Sequence, residues 1–115
     1  MKYQTKYFKE LKNLDKMDNN LLQMLDNLRE RYGEPIIVTS GYRTKEENER
    51  VGGVENSSHL TGNAVDIRVK DSRDRFYLIN YAIAVGFSRI GVGKNFLHLD
   101  NDIHRKNPCV IWTYS

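Results

Sequence analysis

Apolar residues recur at helical spacing in two long stretches of the chain. In residues 19–32 they lie three and four positions apart, with Asn19 or Asn20 as the expected N-cap and Gly33 as the expected end. Residues 72–86 show a second pattern of this kind. The face of it that we expect to be buried consists of Phe76, Leu78, Ile79, Ala82 and Ile83. Both patterns predict an amphipathic α-helix that packs on a core.

Short apolar or alternating runs predict five strands around these helices. The candidates are residues 35–40, 63–69, 88–93, 96–100 and 110–114. Residues 44–53 are highly charged and end in two glycines, which predicts a short third helix. This order predicts an α+β fold, a small single domain in which an antiparallel sheet packs against two main helices. We expect one domain over residues 1–115, with residues 1–18 as an N-terminal extension of that domain.

Alternation within two of the predicted strands places polar groups on the side away from the core. In residues 63–69 the branched apolar side chains face one way and Asp66 faces the other. In residues 96–100 the two leucines face one way, and His98 and Asp100 share the opposite face. A cleft is the natural place for a strand face of this composition.

His59, Asp66 and His98 together offer two imidazoles and a carboxylate, with His59 in the loop before the strand of Asp66. This set suits a catalytic zinc ion, which takes three protein ligands and leaves a fourth position for water. Residue types and spacing alone also fit hydrogen-bonded histidines without a metal, and an aspartate paired with Arg68.

Composition narrows the class of protein only slightly. The net charge of +3 favours anionic partners, but basic and acidic residues are interspersed, so we expect no nucleic-acid patch. No apolar run is long enough to insert in a membrane, and the first ten residues lack the apolar core of a signal peptide, so synthesis in the cytoplasm is expected. The single cysteine, Cys109, excludes an internal disulfide and is expected in the core. His104 is expected at the surface, and Trp112 in the core or in a cleft wall.

Several motifs in order resemble the zinc D-Ala-D-Ala metallopeptidase family, which includes carboxypeptidases and peptidoglycan endopeptidases. The motifs are SGYR (40–43), Asn48, GG (52–53), S-x-H-x-x-G-x-A-x-D (57–66), H-x-D (98–100) and a terminal segment with Trp112. The resemblance covers roughly residues 20–114 and is closest to the small, single-domain branch that contains phage endolysins. It implies a fold like that of Hedgehog domains and DD-peptidases.

The resemblance also implies roles for individual residues. His59, Asp66 and His98 match the ligands of one Zn²⁺ ion. Arg43 matches an arginine that holds the carboxylate of the substrate or polarises its carbonyl, either of which a guanidinium suits. Ser57 matches a serine that hydrogen-bonds the substrate or orients the loop.

The general base departs from the pattern of the family. Many relatives have Glu or Asp three residues before the last histidine ligand, where this chain has Asn95, and an amide cannot take up a proton. The nearest carboxylate in sequence is Asp100. It is expected to act either as the base or as a group that sets the tautomer of a ligand.

The function implied is a zinc-dependent peptidase acting on D-amino-acid-containing stem peptides or cross-links of peptidoglycan. Activated water would attack the amide carbonyl. We expect a monomeric phage or prophage lysis enzyme that reaches the wall through holin-type release, or a component of the virion. The alternatives are a non-catalytic zinc-binding module and a phage structural protein that binds the cell wall. The sequence does not distinguish endopeptidase from carboxypeptidase action.

Overall fold

The helices and strands expected from the hydrophobic pattern are all present in the computed structural model, which describes residues 2–114. The helices are α1 (Asn19–Tyr32), α2 (Lys45–Arg50) and α3 (Ser72–Ala84). The strands are β1 (Val38–Ser40), β2 (Ala64–Arg68), β3 (Arg89–Val92), β4 (Phe96–Asp100) and β5 (Val110–Thr113). Two short 3-10 helices, Leu14–Lys16 and Ser58–Thr61, were not predicted. The α+β fold is confirmed.

The five strands form one sheet in the order β1-β2-β4-β3-β5. The pairs β1–β2, β2–β4 and β3–β4 are antiparallel, as expected, but β5 pairs with β3 in parallel. The expectation of a purely antiparallel sheet is therefore wrong at this edge. After β4 the chain reverses through residues 101–109 and passes beyond β3, so β5 runs opposite to β4 and in the same direction as β3.

Helix α1 supplies a large part of the core. Its fully buried leucines, Leu21, Leu22, Leu25 and Leu28, lie in one hydrophobic cluster with residues of β2, β3, β4 and α3. The N-cap is Asp18 rather than the predicted Asn19 or Asn20, and its carboxylate accepts from the N–H of Leu21. Gly33 ends the helix at φ 80°, as expected.

Helix α3 buries a narrower face than the sequence predicted. Leu78 and Ala82 are buried, whereas Phe76 is 65% exposed and Ile83 is 54% exposed. Each residue turns a helix by about 100°, which places Phe76 and Ile83 far around the axis from Leu78. The five apolar residues therefore do not share one buried face.

The N-terminal segment is tied to α1 by one buried carboxylate. Asp26 accepts from the hydroxyls of Tyr3 (2.7 Å) and Thr5 (2.8 Å) and from the backbone N–H groups of Lys6 and Tyr7. A buried carboxylate with several donors is well compensated, so this segment packs closely on α1.

The remaining expectations concern single residues and membrane spans. Cys109 is exposed, so its assignment to the core is wrong; it lies in the β4–β5 connection with φ 62°. His104 is exposed, as expected. Within residues 2–114, no helix has the length and apolar character that crossing a bilayer requires.

Candidate metal centre and its cleft

The register of the sheet aligns the candidate residues in one row across the strands. Ser40 of β1 lies beside Asp66 of β2, and Asp66 lies opposite His98 of β4. His98 lies opposite Gly91 of β3, which in turn lies beside Trp112 of β5. Side chains paired in this way share one face of the sheet. Two predicted ligands that are 32 positions apart in the sequence are thereby brought together.

His59, Asp66 and His98 converge on one point. Oδ1 of Asp66 lies 3.3 Å from Nε2 of His59 and 3.2 Å from Nδ1 of His98. The three potential ligand atoms all lie within 4.8 Å of one another. Two ligands of a tetrahedral zinc ion lie about 3.4 Å apart when each is about 2.1 Å from the metal. The cluster therefore fits a zinc ion.

The other nitrogen of each imidazole is occupied by an acceptor. Nδ1 of His59 lies 2.7 Å from the carbonyl oxygen of Gly41, and Nε2 of His98 lies 2.7 Å from Oδ2 of Asp100. Because neither oxygen can donate, each of these nitrogens carries the proton. A neutral ring then has its lone pair on the nitrogen that faces Asp66, as a metal ligand requires, whereas a protonated ring donates to Asp66 from that nitrogen.

His59 is positioned by the unpredicted 3-10 helix Ser58–Thr61. Ser57 caps this helix, and its hydroxyl accepts from the N–H of His59. Gly62 ends it at φ 74°, where a Cβ would lie 2.0 Å from the carbonyl oxygen of Lys16. A serine and a glycine flanking four residues were the signal for this turn. Binding of substrate by Ser57 stays a prediction.

The groups around Asp66 favour the ionised form of its carboxyl. Burial opposes ionisation of Asp66, but hydrogen bonds with His59 and His98 outweigh it and lower the pKa of this carboxyl. Burial alone would lower the pKa of His98, whereas its contacts with Asp100 and Asp66 raise it. The cation beside Asp66 is Arg43, at 3.3 Å, while the side chain of Arg68 is exposed.

Arg43 is held by all three of its nitrogens. Nε donates to Oγ of Ser40 (3.1 Å), Nη1 to Oδ1 of Asn48 (3.2 Å) and Nη2 to Oδ2 of Asp66 (3.3 Å). Three motif residues thus orient the guanidinium at the wall of the cleft.

Asp100 is buried and accepts hydrogen bonds from three donors. Its carboxylate accepts from Nε2 of His98 (2.7 Å), Nε of Arg89 (2.8 Å) and the backbone N–H of Asp102 (3.1 Å). Burial raises the pKa of Asp100, but these donors outweigh it and lower the pKa. The sequence analysis missed Arg89 and Asp102. The alternation in residues 88–93 indicates the strand face on which Arg89 lies, and in the structure Arg89 lies opposite Asp100 in the β3–β4 pair.

The cluster opens into a cleft of about 570 Å³ with an aromatic wall. Phe96, Trp112 and Tyr114 form this wall, and the ring of Trp112 lies 5.4 Å from that of His98. A Cβ at Gly91 would lie 2.7 Å from Nε1 of Trp112, so only glycine lets the indole lie across β3. Trp112 therefore lies in the cleft wall, one of the two places expected for it.

A protein-family model described as Peptidase M15 matches residues 4–100. The chain belongs to the peptidase M15 family. This confirms the family that the motifs resembled. M15 peptidases are zinc enzymes, and the His-Asp-His cluster of this one can hold such an ion. A comparison with curated proteins found no significant match.

The M15 match ends at the last residue of β4. Residues 101–114 lie beyond it, yet they supply Lys106, Trp112 and Tyr114 to the cleft. Part of the cleft of this M15 peptidase is therefore built from residues outside the matched segment.

Proposed function

We propose that this M15 peptidase hydrolyses amide bonds next to D-amino acids in the stem peptides or cross-links of peptidoglycan, with one zinc ion. The observation that carries the proposal is the geometry of His59, Asp66 and His98, whose ligand atoms converge at the floor of an open cleft. Such a site leaves room beside the ion for water and substrate, as catalytic zinc sites do.

The residues of the cleft have different proposed roles. His59, Asp66 and His98 would hold the ion. When bound, zinc supplies Lewis-acid polarisation of a carbonyl and lowers the pKa of water to about 7. Arg43, fixed at the wall of the cleft, donates to the carbonyl or the carboxylate of the substrate, and a preorganised donor of this kind stabilises developing negative charge.

Asp100 is proposed to orient His98 rather than to take up the proton of the attacking water. Its three donors occupy both oxygens, and its exposed fraction is 1%. A general base needs a free lone pair within reach of the water. By accepting from Nε2 of His98, Asp100 keeps the lone pair of Nδ1 directed at the cluster.

Asp100→Asn is expected to weaken zinc binding by about tenfold to a hundredfold, since an amide loses the charge and turns a donor toward Arg89 or His98. Zinc affinity is measured by competition with a chelator, beside the hydrolysis rate at saturating zinc. Asp15→Asn, at an exposed position, is the control. Unchanged zinc affinity with a rate lower by about 10²-fold to 10⁴-fold would instead assign Asp100 as the base.

Digestion of purified peptidoglycan tests the proposed function. The protein is compared as isolated, after chelation and after zinc is restored, and the released fragments are identified by mass. New amine and carboxyl ends are expected that disappear on chelation and return with zinc. The mass of the fragments also names the bond and separates endopeptidase from carboxypeptidase action.

A non-catalytic zinc-binding module is the second candidate, favoured by Asn95. This residue stands where many relatives have an acid, and its backbone oxygen accepts from Val69, which anchors the turn before β4. Intact peptidoglycan with one zinc ion per chain would support this module and contradict the peptidase.

The biological setting is a further part of the proposal. A phage or prophage lysis enzyme, monomeric and released through a holin or carried by the virion, is consistent with a small peptidase of this kind. Co-expression with and without a holin checks it, with lysis expected only when the holin is present.

A further inference from the structure

The cleft carries more positive than negative side chains. Arg43, Arg89 and Lys106 line it, against the carboxylates of Asp66 and Asp100. Both arginines are engaged. Arg43 contacts Asp66, and Arg89 donates to Asp100 and to a backbone carbonyl while its guanidinium lies over the indole of Trp112.

Lys106 differs from the two arginines because its charge has no direct counter-ion. Among residues 2–114 its ammonium has a single hydrogen-bond partner, the hydroxyl of Ser58 at 3.0 Å, and no ion pair. That hydroxyl donates in turn to Asp102 (2.7 Å). An ammonium has three N–H donors, so two are left for a ligand.

Asp102 and Asp100, whose charges act on Lys106, already accept hydrogen bonds from other groups. Asp102 is occupied by Ser58 and by the guanidinium of Arg105, and Asp100 by His98 and Arg89. Burial is the largest influence on the pKa of Lys106 and lowers it. A half-buried cation without a counter-ion is costly, and an anion bound in the cleft would offset that cost.

We propose that Lys106 is a specificity-determining residue that binds a carboxylate of the substrate, so that the cleft selects anionic peptides. The proposal rests on the proposed peptidase function. Peptides offer such a group as the terminal carboxylate or as the side chain of an acidic residue, and the chemistry at Lys106 is the same for both.

Three synthetic stem peptides separate the two sources. One has a free C-terminus and a side-chain carboxylate, the second is amidated at the C-terminus, and the third is amidated at the side chain. Kinetics are measured for the unchanged protein and for Lys106→Gln, Lys106→Arg and Lys70→Gln. Lys70 is an exposed lysine outside the cleft.

The unchanged protein is expected to prefer the doubly acidic peptide over one of the amides by about tenfold to a hundredfold, mainly through KM. Lys106→Gln should abolish this preference with little effect on kcat. Lys106→Arg and Lys70→Gln should keep it. The amidated peptide that is cleaved less efficiently than the doubly acidic one identifies the carboxylate that Lys106 binds.

Three results would overturn the inference while leaving the peptidase intact. The preference could be absent from the unchanged protein, or it could survive in Lys106→Gln. The third is an equal loss of kcat on all three peptides in Lys106→Gln, which would mean a role in the reaction or in the loop. Failure of the unchanged, zinc-loaded protein to cleave any peptide would contradict the proposed function and, with it, this inference.

Discussion

Replacing His98 by alanine is expected to remove the bound zinc and to lower peptidoglycan hydrolysis by about 10³-fold, since the ion contributes several kcal/mol to stabilising the transition state. Nδ1 of His98 lies 3.2 Å from the carboxylate of Asp66, so its loss opens the cluster on one side. Two remaining ligands hold zinc poorly. Zinc per chain and hydrolysis are measured on the same preparation.

The chain contains a matched control for this change. His104 is the third and last histidine, and it is exposed and outside the cleft. His104→Ala should keep one zinc ion per chain and full activity. A folded His98→Ala variant that still bound zinc as tightly and hydrolysed as fast would contradict the metal centre, with folding checked by circular dichroism.

Arg43→Lys is expected to lower kcat/KM by about 10²-fold, as the loss of one preorganised donor to a developing oxyanion does in other enzymes. The guanidinium uses three nitrogens at once, toward Ser40, Asn48 and Asp66. A lysine ammonium keeps the charge but cannot reproduce this planar arrangement. Steady-state kinetics on a defined stem peptide measure the effect.

Zinc content separates this effect from loss of the metal centre. Arg43 offers no metal ligand, so Arg43→Lys should keep one zinc ion per chain, unlike His98→Ala. Arg50→Lys, at an exposed position at the end of α2, is the control and should change neither quantity. Full activity in Arg43→Lys would show that positive charge alone suffices at this position.

Local patterns predicted the elements and the faces of the strands. The alternation in β2 and β4 put Val65 and Leu97 in the core and Asp66 and His98 on the opposite face, and the structure agrees. Face assignment succeeds because side chains alternate with a period of two in any strand, whatever its partner. In α3 the same approach failed for Phe76, since apolar character alone did not define one helical face.

Contacts between distant segments could not be predicted in this way. The pairing of Asp66 with His98 depends on the register of β2 against β4. The alternation within a strand predicts the face on which each side chain lies, but not the residue opposite it on the next strand. The parallel β5, and with it the place of Trp112 beside His98, depends on the path of the β4–β5 connection. The place of Lys106 in the cleft also depends on that path, whereas the contact of Arg89 with Asp100 depends on the pairing of β3 with β4.

The sequence by itself determined the α+β class, the strand faces and, through its motifs, the family and the three candidate ligands. Only the tertiary structure decided how each ligand is oriented, with Gly41 holding His59 and Asp100 holding His98. It also decided that Asp100 accepts from three donors and that Lys106 has no ion pair within residues 2–114. The reason is physical: local sequence governs backbone conformation and the direction of a side chain, whereas hydrogen-bond partners and charge balance depend on segments brought together by folding.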